Sequence, residues 1–225
     1  MSIFSRLKYL RYRLFYGVLL HRNYKLTMLG NRENECCWNF YPKDLNAQSI
    51  VYSGGVGKDI SFEQSLVQQF GCSVVLLDPS PTGLATMALP ANQIPQLKFM
   101  PIGLADSCKT LKLAPPHYPE EGSWFKHNGS GDSIEVLCED LATLMKKNGH
   151  QHIDLLKIDI EGAEYEVIDD LVRRRLPIKQ ILVEYHHGIL PGIKRSDTIR
   201  SILKMVRSGY KLLDQYGNNH VFLRS

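Results

Sequence analysis

The chain has 225 residues, 44% hydrophobic and 22% charged, which is enough to bury a full core and excludes a disordered or fibrous chain. A formal charge of +4, with Lys and Arg scattered through the body, leaves no electrostatic footprint for nucleic acid, so no nucleic-acid partner is expected. Cys36, Cys37, Cys72, Cys108 and Cys138 are odd in number, form no CxxC pair and follow no secretory signal, so reduced thiols in the cytoplasm are the expectation and the Asn128-Gly129-Ser130 sequon carries little weight.

The N-terminal stretch SIFSRLKYLRYRLFYGVLLHRNYKL carries Arg6, Lys8, Arg11, Arg13, Arg22 and Lys25, and no acidic residue precedes Glu33. Phe4, Leu7, Leu10, Leu14, Val18 and Leu19 recur at helical spacing, which predicts a basic amphipathic helix and linker over residues 1–35, ahead of a domain over 36–225. Charges interrupt every apolar run well short of the roughly 20 residues that span a bilayer. Two uses stand: peripheral membrane contact with anionic lipid through residues 3–25, or a cap packed on the domain, which is the commoner use of such helices.

From residue 48 onward strands and helices alternate. QSIVYSGG reads as a strand, DISFEQSLVQQF as a helix and CSVVLLD as a buried strand, by its continuous apolar run. TGLATMAL is a short helix, LKFMPIGLA a third strand, IDLLKID a fourth and KQILVEYHH a fifth. SDTIRSILKMVRSG starts on capping residues and stops at Gly209, and YKLLDQYGNNHVFL is a hairpin around Gly-Asn-Asn. This order implies a doubly wound, mostly parallel α/β sheet with a C-terminal antiparallel hairpin.

In such sheets the ligand lies outside the carboxyl ends of the strands, at the topological switch point. Strand one ends in Ser53-Gly54-Gly55-Val56-Gly57, where missing side chains let backbone amides approach a ligand. About twenty residues later strand two ends in Asp78, the position from which a carboxylate accepts ribose hydroxyls. Strand four ends in Asp159, and strand five in Glu184, Tyr185, His186 and His187. Each feature has an ordinary structural explanation: a glycine cluster marks a tight turn, Asp78 before Pro79 caps a helix, and Glu161 and Glu164 suit the first turn of a helix ending in Arg173, Arg174 and Arg175. Asp159 has no such account, and the convergence of four strand ends on one rim points to function.

The segment IDLLKIDIEGAEYEVI, with VYSGGVGKDISFE, LLDPSP, IGLAD, ILVEYHH and YGNNHVFL in the same order, resembles the FkbM-type S-adenosylmethionine-dependent methyltransferases over roughly residues 36 to 224. The resemblance implies a class I fold, a seven-stranded Rossmann-like sheet, with S-adenosyl-L-methionine as cofactor. It implies that Gly54, Gly55 and Gly57 flank the methionine portion, that Asp78 binds the ribose, that Leu104 and Ala105 line the adenine, and that Asp159 sits near the sulfonium and substrate. The family's acidic residue at the end of strand one is absent, since Tyr52-Ser53 stands there; Asp59 or Glu63 on the following helix is the expected substitute for the cofactor's amino group.

Methyl transfer from a sulfonium is an in-line displacement that depends on holding nucleophile and methyl about 3 to 3.5 Å apart. A hydroxyl acceptor, on a small molecule, sugar or lipid, also benefits from a general base, for which Asp159, His186 and His187 are candidates. A continuing strand would point the two histidines to opposite faces, and His186 is favoured as the catalytic one, with Glu184 and His187 toward substrate. Asp159, Glu184 and a histidine also suit a metal ion, but no ligand spacing demands one, and a metal-free site is expected. APPHYPEEGSWFKHNGSGDS is too long for a simple connection and is either a lid or a surface meander, whose Tyr118, Trp124 and Phe125 stack on substrate or staple the insert to the core. A nicotinamide-dependent oxidoreductase is the enzyme alternative, although it wants a cleaner GxGxxG, and a catalytically silent cofactor-binding module is the third reading.

Overall fold

The computed structural model describes residues 14–34, 36–116, 122–127, 129 and 131–224. Residues 1–13 of the N-terminal stretch, on which the first part of the expected amphipathic helix falls, Tyr118 and two residues of the sequon therefore lie outside the described residues. The helical residues 14–19 place Phe15, Tyr16 and Leu19 against the main core, and Leu20 bridges to Leu212. Tyr16 is buried with its hydroxyl 2.7 Å from Nε2 of His220. Leu14 and Val18 face outward, at 60% and 83% exposure.

This packing makes a truncation informative. Deleting residues 1–20 is expected to lower stability by at least the 1.5–3 kcal/mol of one large buried side chain, about the contribution of Tyr16 alone. Thermal melting checks it. A truncated chain that melts like the full one and loses only vesicle binding would assign the segment to lipid instead. Among the described residues no helix is long and apolar enough to cross a membrane.

A hairpin follows, β1 (Thr27–Asn31) and β2 (Cys36–Phe40), and its turn falls on the expected 35/36 boundary. Trp38 and Phe40 are buried in the second core cluster with Phe62, and Tyr24, Leu26 and Leu29, ahead of that boundary, pack against the same cluster. Next come β3 (Ile50–Gly54), α1 (Ser61–Phe70), β4 (Ser73–Leu77), α2 (Pro81–Met87) and β5 (Leu97–Met100). Helix α1 stops at Gly71, whose φ of 70° is the left-handed conformation that ends helices. Helix α2 starts at Ser80, whose hydroxyl accepts the amide of Gly83 at 3.0 Å, with Pro81 in the first turn.

The expected third strand, LKFMPIGLA, is two strands. Pro101, which has no amide to donate, separates β5 from β6 (Gly103–Leu104), and β6 opens a second sheet with β7 (Lys109–Ala114), β8 (Phe125–Lys126) and β9 (Ile134–Glu139) in the order β6-β9-β7-β8. The chain returns through α3 (Leu141–Asn148), β10 (Ile153–Ile158), α4 (Glu164–Arg174), β11 (Ile178–Glu184), α5 (Arg195–Arg207), β12 (Tyr210–Tyr216) and β13 (Asn219–Arg224). The main sheet has seven strands in the order β12-β13-β11-β10-β3-β4-β5, parallel except for β13, which runs antiparallel to both neighbours. The sheet is doubly wound, and its strand order reverses at β3, between β10 and β4, so the carboxyl ends of those three strands open the crevice.

Behind the crevice His220 is fully buried against Tyr16 and Tyr185, with Nδ1 on the carbonyl of Asn218 at 2.8 Å. Burial, and to a lesser extent His187, outweigh the Asn218 carbonyl and push its pKa down to about 4. The fold thus holds the neutral ring. Its contribution is fully present above the unfolded value near 6.5 and is lost as pH falls from there toward 4, on the order of 3 kcal/mol. Urea midpoints at pH 7.5 and 4.5 should differ more for the wild type than for His220→Gln. Equal differences would remove His220 from the acid response.

Candidate active site

The crevice is a cavity of about 1410 Å³. Single ligand pockets run to about 1,000 Å³, so there is room for a cofactor and an acceptor together. Its walls include Gly55, Gly57, Glu63, Asp78, Leu104, Asp159, Glu184 and His186 from the expected set. Ser53, Gly54, Ala105 and His187 do not line it.

On the β3 side the loop is built around Asp78. One carboxylate oxygen accepts the amides of Val56 at 2.9 Å and Gly57 at 3.1 Å, and the other accepts the amide of Ser80 at 2.8 Å. A carboxylate offers about four acceptor positions, so roughly one is left for a ligand, and the expectation that Asp78 accepts two ribose hydroxyls at once is reduced to one. Gly55 has a φ of 89°, and a Cβ there would lie 1.8 Å from the carbonyl oxygen of Asp159, so the two strand ends approach as closely as backbone allows. Gly57, with φ 57°, has nothing within 4 Å of an added Cβ and leaves the cavity wall open beside Asp78.

A carboxylate of the next helix stands at the end of strand one. Glu63 of α1 is buried and accepts the Ser53 hydroxyl at 2.5 Å, which puts a carboxylate at the end of β3. Asp59, the other candidate, is engaged by the amide of Ser61 at 2.7 Å and the side chain of Asn34 at 2.9 Å. Ser53 therefore serves Glu63, and Gly54 packs between Ile160 and Leu104.

Lys157, in the middle of the LLKID run, was not singled out from the sequence. It is buried, donates to the carbonyl of Gly55 at 2.8 Å, and stands 3.8 Å from both Glu63 and one oxygen of Asp159, over the Trp38 ring. Burial opposes its charge, yet Glu63 and Asp159 hold its pKa above the ordinary lysine value. A charged residue inside an apolar strand is rarely fully buried unless paired, and that was the available signal.

The acidic knot after β10 divides differently from the sequence reading. Glu161 is not in the first helical turn; it has φ 50° and its carboxylate reaches Nε2 of His186 at 3.1 Å. Glu164 does open α4, but its fully buried carboxylate accepts the amides of Ile160 at 3.2 Å and Gly162 at 3.1 Å and lies 2.7 Å from Nδ1 of His186. The helix N-cap, Ala163, has no side-chain cap, so Asp159 is not a capping residue. Its other oxygen is 3.8 Å from Nε2 of His186.

These contacts set the charges. Burial opposes protonation of His186, but Glu161 and Glu164 overcome it and raise its pKa to about 11. At neutral pH the ring of the free protein is therefore an imidazolium, without the lone pair that the expected general base needs. Burial, then Asp159, pushes Glu184 up to about 7. Burial also raises Asp159, against the pull of Lys157 and His186. His187 points away: its Nδ1 is 2.9 Å from the hydroxyl of Thr198 on α5, because β11 ends at Glu184 and the alternation expected of a continuing strand is not what separates the two rings.

The long insert supplies a further wall. Leu111, Leu113, Phe125 and Val136 of the second sheet line the cavity, as do Trp124 just before β8 and Ile189 and Leu190 beyond β11. Trp124 and Phe125 thus face the space next to the Asp159 cluster rather than the outer surface alone.

The family described as "Methyltransferase FkbM domain" matches residues 40–212. A human protein, "Probable methyltransferase-like protein 24", is 27% identical over 174 residues, covering 76% of this chain and 41% of that protein, so the chain spans less than half the length of this curated relative. Among solved structures, a precorrin-6y C5,15-methyltransferase from Geobacter metallireducens GS-15 aligns over 81% of this chain and 83% of its own, at 11% identity and a TM-score of 0.46. Aeropyrum pernix fibrillarin, solved with natively bound S-adenosyl-L-methionine, aligns over 80% and 66% at 13% identity and a TM-score of 0.41.

Proposed function

The chain belongs to the FkbM methyltransferase family, an S-adenosylmethionine-dependent class, and on that premise we propose that it methylates a hydroxyl of a small-molecule, glycan or lipid acceptor. Family membership sets the nicotinamide alternative aside. The observation that carries the hydroxyl reading is the meeting of Asp159, Glu184 and His186 on the wall that also bears Asp78 and Gly57. The cofactor fits this wall in its donor set: a free acceptor position on Asp78 for a ribose hydroxyl, and Glu63 with Asp159 for the cofactor's positive charge.

When bound, S-adenosylmethionine supplies an electrophilic methyl on a sulfonium. That methyl would pass to the acceptor oxygen with the S–C electron pair left on the thioether product, and a carboxylate of the cluster would receive the hydroxyl proton. Asp159 and Glu184 hold the oxygen at the methyl, and Lys157, tied to Gly55 and Asp159, keeps the two strand ends in register. Trp124 and Phe125 give the acceptor apolar and stacking surface. The acidic wall of Glu63, Asp159, Glu161 and Glu184 would repel a phosphate backbone, which supports a neutral acceptor over nucleic acid.

The test is formation of S-adenosylhomocysteine against a panel of glycans, lipids, small alcohols, amines and RNA. Turnover with hydroxyl acceptors supports the reading. Turnover with RNA or amines alone overturns it, and cofactor binding without turnover on any acceptor leaves the silent binding module.

A further inference from the structure

We propose that Asp159, Glu184 and His186 bind a divalent metal cation, which takes the acceptor's hydroxyl oxygen as a further ligand; this rests on the hydroxyl reading above. One ligand atom from each residue lies within 4.8 Å of the other two. The centre of such a triangle is at most about 2.8 Å from each corner, so small side-chain movements reach the roughly 2.0–2.3 Å of metal bonds to nitrogen and oxygen. The sequence reading named this set but expected a metal-free site, since no spacing demands an ion when the ligands come from the ends of two neighbouring strands, β10 and β11.

Two further observations point to a missing cation. The Glu184 carboxylate lines the cavity, and no hydrogen bond or ion pair found among the described residues engages it. The His186 side chain is only 4% exposed; its Nε2 lies 3.1 Å from Glu161 and 3.8 Å from Asp159, and Nδ1, though 2.7 Å from Glu164, lacks the alignment of a hydrogen bond. A buried ring with an unsatisfied nitrogen calls for an explanation. A cation on Nε2 would displace the proton that this nitrogen shares with Glu161 at 3.1 Å, fix the ring and leave the Nδ1 proton to Glu164, the usual backing of a metal-bound histidine.

Charge balance agrees. Among the described residues, Glu63, Asp159, Glu161, Glu164 and Glu184 cluster around Lys157 and His186, with Arg32, Lys58 and Lys126 elsewhere on the cavity lining. Lys157 is not a substitute for the ion. It is committed to Gly55 and Glu63 and sits on the Asp159 oxygen that faces away from His186. Two carboxylates and an imidazole, open to the cavity, suit Mn²⁺ better than Mg²⁺, which prefers oxygen ligands alone. An ion there would orient the acceptor and lower the pKa of its hydroxyl. In the transfer, oxygen bonds to carbon, sulfur leaves with the S–C electron pair, and a carboxylate outside the metal shell receives the proton.

The experiment titrates the folded full chain with Mn²⁺ without cofactor or acceptor, reading free Mn²⁺ by paramagnetic resonance, and measures S-adenosylmethionine binding to the same preparations by calorimetry. Expected is one ion per chain for the wild type and for Asp169→Asn, a surface control paired with Lys204, and at least a tenfold weaker affinity in Asp159→Asn and in Glu184→Gln. Absence of Mn²⁺ binding to folded wild type, or site variants that bind it as the wild type does, overturns the metal site. Cofactor binding without Mn²⁺ binding rejects the cation and leaves methyl transfer standing. Mn²⁺ binding without cofactor binding keeps the ion site and strikes the methyl-transfer reading.

Discussion

Asp78→Asn is expected to weaken S-adenosylmethionine binding by about 1.5–3 kcal/mol, the range for hydrogen bonds to a charged acceptor, or roughly 10- to 150-fold in Kd. The carboxylate already accepts three backbone amides, from Val56, Gly57 and Ser80. Asparagine offers one oxygen and an NH₂ in the same volume. Whichever way the amide turns, a donor faces a donor, at the glycine loop or at the start of α2. Because the loop itself is disturbed, affinity alone does not separate a ribose contact from a scaffold. A cofactor product lacking the 2′-hydroxyl makes the separation: with a direct contact, the deoxy compound binds the wild type more weakly than S-adenosylhomocysteine does, and the gap closes in the variant. Calorimetry reads both. A gap unchanged in the folded variant would restrict Asp78 to holding the loop.

Most of the sheet was legible because parallel strands buried on both faces are continuous apolar runs: CSVVLLD and KQILVEYHH are fixed by burial alone. The second sheet was harder to see. Its strands KTLKLA and IEVLCE alternate about one half-buried face, and they pair across an insert rich in Pro and Gly that reads as loop. Helix α3 had local signals that were passed over, Asp140 accepting the amide of Thr143 and Gly149 at φ 71°. The hairpin of β1 and β2 is short and mixed in polarity, and its burial depends on α1.

The strand ends brought most, not all, of the expected residues to the cavity, since Ser53, Gly54 and His187 do not line it. Gly55, Gly57, Asp78, Asp159, Glu184 and His186 all reach the cavity. Charge state was not legible. His186 carries its proton because Glu161 turns back at φ 50° and Glu164 lies beneath the ring, contacts between side chains more than twenty residues apart in the chain. The roles of Glu161 and Glu164 were read as helix chemistry for the same reason: helical spacing accounts for acidic residues in a first turn, and only the tertiary position of His186 reassigns them.

Asp159→Asn should preserve the fold and lower turnover by about 10² to 10⁴, the range for loss of a positioned acid or base. Asparagine keeps the size and removes the charge. A purely structural role predicts a lower melting temperature, because a half-buried ion partner of Lys157 and His186 would be lost. The electrostatics of the free protein point the other way. Burial and the neighbouring Glu161 and Glu164 raise the pKa of Asp159 despite those two cations, so the charged carboxylate is held at a cost to folding. Lys157 keeps Glu63 and the Gly55 carbonyl, and His186 keeps Glu161 and Glu164. The variant should therefore melt at the same temperature as the wild type or higher while losing activity, the sign expected where function is maintained against stability. Thermal melting and S-adenosylhomocysteine release, measured on one preparation, decide it. A variant that melts lower and turns over normally would make Asp159 a structural partner of Lys157, and the knot after β10 would then have no share in the chemistry.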